Sequence, residues 1–462
     1  MTYIRLLLYL RKIRNFWRRT WFAEHRDPYL WLFLGMLFLV GGLQTAHYFN
    51  LGVISPLHNI LRLAGRDAVF SIICLSGTLA VLVLLPCAGR ERLYLLGGCI
   101  FSEIVFMQLR WGVYSLSGHL AYIGPTSMLV CLVFLVLYLI RYSLLDNLTA
   151  WRVLDLMAFS TAMPLLYALY STEVQELQVY DLLLMKADSL FGFQPSFAIA
   201  RLLSGNVLVI TAMIIVYYYL PVWMMLAQIS SFRRDYMDRV IPIMRSPGPP
   251  FLVFLAAAAV GAVCYSYLPA VGPAAFFGAK IFPYGTCPDV ALSDVKAVVF
   301  INDAMRSCIP CLPLVFVLCA GFTVYNIQPF WNRGWFVLAF FMAASSFSIG
   351  GHWAVDSLAA LPITACCLGL TWYRVPGKIR WITAAGGGIS SFLLLHLIKY
   401  DIAWCLDHAV LYWLWVISVN VLSVVGIKYM LNVSREHEYN LVVSRQPYRF
   451  LTPARKDDEE DE

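Results

Sequence analysis

Hydrophobic and polar residues alternate along this chain in long blocks, without the short period of an amphipathic helix or strand. Twelve apolar blocks stand out: Tyr29–Ala46, Ala68–Cys87, Leu93–Leu109, Ala121–Ile140, Trp151–Tyr170, Asn206–Gln228, Pro250–Leu268, Cys308–Tyr325, Trp335–Ile349, Trp353–Tyr373, Trp381–Leu397 and His408–Lys428. They run from 15 to 23 residues, and about 20 carry a helix across a bilayer. Each block predicts one transmembrane helix, the ninth being the shortest. The fold class that follows is all-α, a polytopic transmembrane helix bundle of about 12 spans.

Composition points the same way. The 462 residues are 60% hydrophobic and 13% charged, with a mean hydropathy of +0.71, whereas soluble domains hold about 25% charged residues. With the N-terminus in the cytoplasm, 25 of the 34 Lys and Arg fall on that side of the membrane. This matches the positive-inside rule and predicts that both termini are cytoplasmic. The formal charge of +7 then reflects topology and contact with anionic headgroups, and it calls for no nucleic-acid partner. Most of the twelve cysteines sit inside apolar blocks, where Cys acts as a small hydrophobe. Cys287, Cys308 and Cys311 fall on or near the outer side, so a disulfide from Cys287 to Cys308 or Cys311 is an expectation if that side is oxidising. Cys308-Ile309-Pro310-Cys311 has no second pair at zinc-site spacing.

The breaks between blocks carry the remaining organisation. Residues 1–28 alternate basic and aromatic side chains, without the apolar core and cleavage site of a signal peptide, and read as an interfacial segment. A four-span block over 29–150 follows, in which Glu103 reads as a helix–helix contact. Residues 179–203 are too polar to span and too apolar for a solvent loop, so they predict a helix lying on the outer interface. The core over 151–375 contains this segment and a long outer loop over 269–307. Two further spans occupy 376–430, and a cytoplasmic tail over 431–462 ends in an acidic run expected to be disordered. No internal repeat supports a transporter built from inverted halves.

The candidate chemistry lies in Gly350-Gly351-His352-Trp353-Ala354-Val355-Asp356, between the ninth and tenth blocks. On a helix, His352 and Asp356 would share a face. The carboxylate would accept one imidazole N–H, fix the tautomer and leave the other nitrogen free. The plain alternative is a polar pair tying down a helix start. Ionisable groups at apolar boundaries are costly, which favours a functional role. The outer loop and its Arg306 fall on the same side as this pair.

Four segments, in order, resemble the type 2 phosphatidic acid phosphatase superfamily, in particular the inositol-phosphotransferase branch that contains inositol phosphorylceramide synthases. They are Asp181-Leu182-Leu183-Leu184 with Asp188-Ser189-Leu190-Phe191-Gly192, then Leu268-Pro269-Ala270-Val271-Gly272-Pro273, then Arg306 to Pro313, and last Gly350 to Asp356. The resemblance covers about residues 150 to 375. It implies a six-helix core in which His352 attacks phosphorus to form a phosphohistidine and Asp356 orients it. Arg306 and Lys280 would hold phosphate oxygens, with no metal and no cofactor. Snorkelling cations at headgroup level are the competing explanation for both. The second motif of such enzymes supplies a His that protonates the leaving alkoxide. Here its Ser falls on Cys311 and its His on Pro313, and proline has no proton to give. Ser346 stands where wider members of the superfamily carry an Arg.

Two readings therefore stay open. One is an integral membrane lipid phosphatase or inositol-phosphotransferase-like enzyme acting on a phospholipid or polyprenyl phosphate at the non-cytoplasmic face. The other is a catalytically degenerate relative that binds lipid phosphate or serves as a membrane partner subunit. Short loops and the absence of a eukaryotic-type sorting tail point to a bacterial inner membrane.

Overall fold

The computed structural model describes residues 68–85, 89–109, 123–142, 160, 177–237, 250–278, 280–288, 290–291, 298–300, 309–324, 329–373 and 375–445. Helices dominate. In chain order they are α1 (Ala68–Leu84), α2 (Gly89–Leu109), α3 (Pro125–Tyr142), α4 (Asp181–Asp188), α5 (Pro195–Ser204), α6 (Val207–Tyr218), α7 (Leu220–Met237), α8 (Pro250–Tyr267) and α9 (Pro273–Phe277). There follow α10 (Leu312–Val324), α11 (Pro329–Ser348), α12 (Ala360–Thr371), α13 (Gly377–Tyr400), α14 (Ile402–Asp407) and α15 (Ala409–Arg445). Short 3₁₀ turns cover Ser189–Phe191 and Ala354–Ala359. Two three-residue strands, Leu177–Val179 and Val298–Phe300, are the departure from an all-helical fold among the described residues.

Among the described residues, four helical stretches are long and apolar enough to cross a membrane: Pro250–Tyr267, Ala354–Thr371, Gly377–Tyr400 and Ala409–Ser434. The protein is a helical membrane protein. The second, fourth and eighth apolar blocks appear as shorter apolar helices, at Phe70–Leu84, Pro125–Tyr138 and Leu312–Val324. The first block, nearly all of the fifth, the basic-aromatic start and the acidic end lie outside the described residues.

The sixth block, expected as one uninterrupted span, is broken. It breaks at Tyr219, because Pro221 belongs at the start of α7: it lacks an N–H and would clash inside a continuous helix. The block's start is marked by a 119° bend between α5 and α6, where the Asn206 side chain accepts the Leu208 N–H at 2.9 Å and caps the new helix. Apolar composition sets the block, capping sets where it starts and proline sets the break within it.

The described helices fall into two compact units. One holds α1, α2 and α3. There Glu103 of α2 accepts the backbone N–H groups of Gly124 and Ser127 at 3.0 and 2.8 Å, which makes it the cap of α3 and the expected interhelical contact. The other unit is built from Gln178–Val216, Ser230–Val298 and Ser307 onward. Its centre is α12, which packs against α8, α10, α13 and α15. α12 and α13 approach closely through small residues: a Cβ on Gly369 would lie 2.7 Å from the Ala384 nitrogen.

Candidate functional site

The site is a turn set between two helix ends. α11 finishes in a left-handed cap at Gly350, φ +68°. The Gly350 N–H reaches the Phe347 carbonyl at 3.0 Å and the Gly351 N–H the Ser346 carbonyl at 3.1 Å, the paired bonds of a Schellman motif. Trp353 then opens the 3₁₀ turn, and Asp356, three residues on, accepts the Trp353 N–H at 2.9 Å. His352 is the residue left between the two caps.

His352 and Asp356 meet as the sequence suggests, but not along a helix face. His352 precedes the helix, and its Nδ1 lies 3.2 Å from Asp356 Oδ2 across the capping turn. The catalytic-pair and helix-start readings thus describe one geometry, since the same carboxylate oxygen serves both. His352 is 2% exposed and Asp356 fully buried. With Nδ1 donating to the carboxylate, Nε2 carries the lone pair, and it has no hydrogen-bond partner among the described residues. The second carboxylate oxygen, Oδ1, is buried and unpartnered.

Two further carboxylates hold this turn. Asp181 accepts the N–H groups of Val271 and Gly272 at 3.0 and 2.9 Å and the Trp353 indole N–H at 2.9 Å. Asp188 accepts the Ser196 hydroxyl and the N–H groups of Ala354 and Val355, the last at 2.8 Å. Both are fully buried. Burial pushes Asp181 up to about 6 and Asp188 up to about 7, against the pull of their donors. Residues 179–203, expected as one helix on the interface, are instead broken by Gly192 at φ +80° and by Pro195. Within them α4 is mostly buried and packs on the 3₁₀ turn.

Two glycines allow the second segment to press against the turn. Gly272 has φ +82°, and a Cβ there would meet the Gly351 carbonyl oxygen at 2.6 Å. A Cβ on Gly350 would meet Ala274 and Phe282 at 2.5 and 2.6 Å. The Ala274 N–H also donates to the Gly350 carbonyl at 3.1 Å. The segment before α10 closes the other side, where the Cys311 N–H donates to the Asp356 carbonyl at 3.0 Å. The Cys311 thiol donates to Ser346 Oγ at 3.3 Å.

All four segments singled out in the sequence therefore converge on one turn. Asp181 and Asp188 lay within them without a role. Their spacing of seven, two turns of helix on one face inside an apolar stretch, was the available signal, because an apolar stretch keeps a carboxylate only if it is paired. The remaining candidates stand apart. Lys280 is exposed in the turn 280–284, whose Phe282 packs on Phe197, and it has no contact with the pair. Arg306 lies outside the described residues. Pro313 sits in the first turn of α10. A Cys287–Cys311 disulfide is excluded because the Cys311 sulfur is a buried thiol engaged with Ser346; Cys308 lies outside the described residues.

Comparison with protein-family models, with curated proteins and with solved structures finds no match for this chain.

Proposed function

We propose that this protein is a membrane-embedded lipid phosphatase or inositol-phosphotransferase-like enzyme, with His352 as nucleophile and a phospholipid or polyprenyl phosphate as substrate. The observation that carries the reading is the His352–Asp356 pair, with Nδ1 engaged, Nε2 without a partner among the described residues and the turn held by two more buried carboxylates. In this reading Nε2 attacks phosphorus and the P–O bond to the leaving group breaks. Asp356 stabilises the positive imidazole, and water or an alcohol then takes the phosphoryl group from His352. The order of the four segments supports a likeness to the type 2 phosphatidic acid phosphatase superfamily, and the reading includes about 12 spans, a six-helix core over 151–375, cytoplasmic termini and a bacterial inner membrane location. Arg306 and Lys280 are the proposed phosphate-holding cations.

One observation favours the second reading, a degenerate member that binds lipid phosphate or acts as a partner subunit. Cys311 and Pro313 replace the second motif's Ser and His, and the Cys311 thiol, already donating to Ser346 Oγ, leaves the leaving alkoxide without a proton donor at that position. A positioned acid contributes about 10²–10⁴-fold, so aryl phosphates and pyrophosphate-linked lipids should turn over better than monoester lipids. Purified protein assayed for phosphate release from both classes tests this. Release that His352→Ala abolishes supports the enzyme. No release from either class by a folded protein overturns it in favour of the binding role.

A further inference from the structure

We propose that Lys399 and the tyrosines around it form a second feature of this face, a binding site for the phosphate group of an anionic lipid. The Lys399 ammonium lies 4.4 Å from the centre of the Tyr267 ring, 5.0 Å from that of Tyr180 and 5.5 Å from that of Tyr400. It donates to the Tyr267 carbonyl at 2.6 Å. That carbonyl belongs to the last residue of α8, so one ammonium N–H caps a helix C-terminus. The Tyr267 hydroxyl meets His396 Nδ1 at 3.0 Å, and the His396 ring lies 4.8 Å from that of Tyr400. This tie fixes the tyrosine that faces the ammonium.

Two features point to a ligand. First, the charge sits at the end of α13, where it meets the end of α8, and both helices are long and apolar enough to cross a membrane. A cation there needs a counter-charge or open water, and Lys399, half-buried, has no carboxylate partner among the described residues. One of its three N–H bonds goes to the Tyr267 carbonyl, and the other two have no oxygen or nitrogen acceptor among the described residues. Second, the surroundings select the sign of the ligand. A ring of tyrosines would by itself favour a quaternary ammonium headgroup. Here the protein's own ammonium occupies that ring, so the cluster disfavours choline and offers two donors to an anionic oxygen. Lysine binds phosphate in this way, as a point charge.

The cluster shares its scaffold with the His352 turn. The Tyr180 N–H donates to the Pro269 carbonyl at 2.9 Å, and the next residue, Asp181, holds Val271, Gly272 and the Trp353 indole. α8 therefore delivers both the Lys399 cap and the loop beneath Gly350 from one end. The inference concerns binding alone and stands whether or not His352 turns over a substrate.

The test uses the full chain in phosphatidylcholine nanodiscs, titrated with short-chain phosphatidic acid and separately with inorganic phosphate. It is run in the His352→Ala background so that turnover cannot contribute. Saturable phosphatidic acid binding that Lys399→Met weakens by about 10-fold or more supports the site. Inorganic phosphate binding as tightly, with the same dependence on Lys399, keeps the site and makes free phosphate its ligand. Equal phosphatidic acid affinity with and without Lys399→Met overturns the proposal and leaves a snorkelling lysine. If Lys399→Met does not fold, the unsubstituted chain decides. Preference for phosphatidic acid over short-chain phosphatidylcholine that falls with added salt supports the site, and no preference overturns it. Loss of phosphate release with this binding intact would remove only the enzymatic reading.

Discussion

Glu103 and Asp356 are both buried carboxylates that accept backbone N–H groups at the start of a helical segment, and they end in different situations. Glu103 accepts two N–H groups at the start of α3, and that is the whole of its visible work. Asp356 accepts one, shares the same oxygen with His352, and keeps its other oxygen unpartnered in a fully buried position. Asp181 and Asp188, beside it, use both oxygens. A buried carboxylate is thus common structural hardware in this protein. What separates the His352 turn is an imidazole whose Nε2 has no partner among the described residues and a fully buried carboxylate oxygen, Asp356 Oδ1, without a partner, both held by saturated neighbours. Unsatisfied buried polar atoms are costly, which makes such a place a functional candidate.

The comparison can be broken most directly at His352. His352→Ala should bring phosphate release to background and also lower the melting temperature in detergent, because it leaves the buried Asp356 carboxylate without its imidazole while Asp181 and Asp188 still hold the turn. Release that survives the substitution would reduce Asp356 to a second Glu103, a cap and nothing more. Next in size is Asp188→Ala. It orphans the Ser196 hydroxyl and the Val355 N–H, while the Ala354 N–H keeps Ser196 Oγ at 2.8 Å, and each buried orphan costs about 1–3 kcal/mol. The variant should lose on the order of 3 kcal/mol or more, read as a large drop in thermal or denaturant midpoint. A drop no larger than that of a surface substitution would refute the anchoring role.

Asp356→Asn sharpens the distinction between orienting and holding. It should slow turnover less than His352→Ala does, since the nucleophile remains while the negative charge opposite the imidazole is lost. Glu103→Ala should cost about 1 kcal/mol, the value of a helix cap, and leave phosphate release unaltered. A change in release would mean that the cap contributes to the chemistry. The smallest effect is with pH. Asp181 and Asp188 are raised to about 6 and 7 from an ordinary 3.8, so folding takes up protons. Their stabilising contribution is complete below about pH 4 and is lost as the pH rises through 6 and then 7. Melting temperature should therefore fall from pH 5 to pH 8, and fall less in Asp181→Asn, which has no proton to lose. An equal slope in both would assign the dependence to other groups.

The apolar blocks by themselves determined that this is a helical membrane protein, because a run of about 20 apolar residues has few other stable homes. The sequence also located the turn, since Gly350 with φ > 0 and an Asp three residues past Trp353 are local capping signals, each satisfied by near neighbours. Only the tertiary structure decided what the turn is made of. Asp181, Asp188, Gly272 and Cys311 reach it from 40 to 175 residues away in the chain, and no periodicity encodes which distant carboxylate meets which amide. Hydropathy likewise counted Asn206–Gln228 as one span, whereas Pro221 divides it at Tyr219. Burial is a sum over composition and can be read along a chain. Hydrogen-bond partnership is a matter of position in space, and it appears only once the helices have packed.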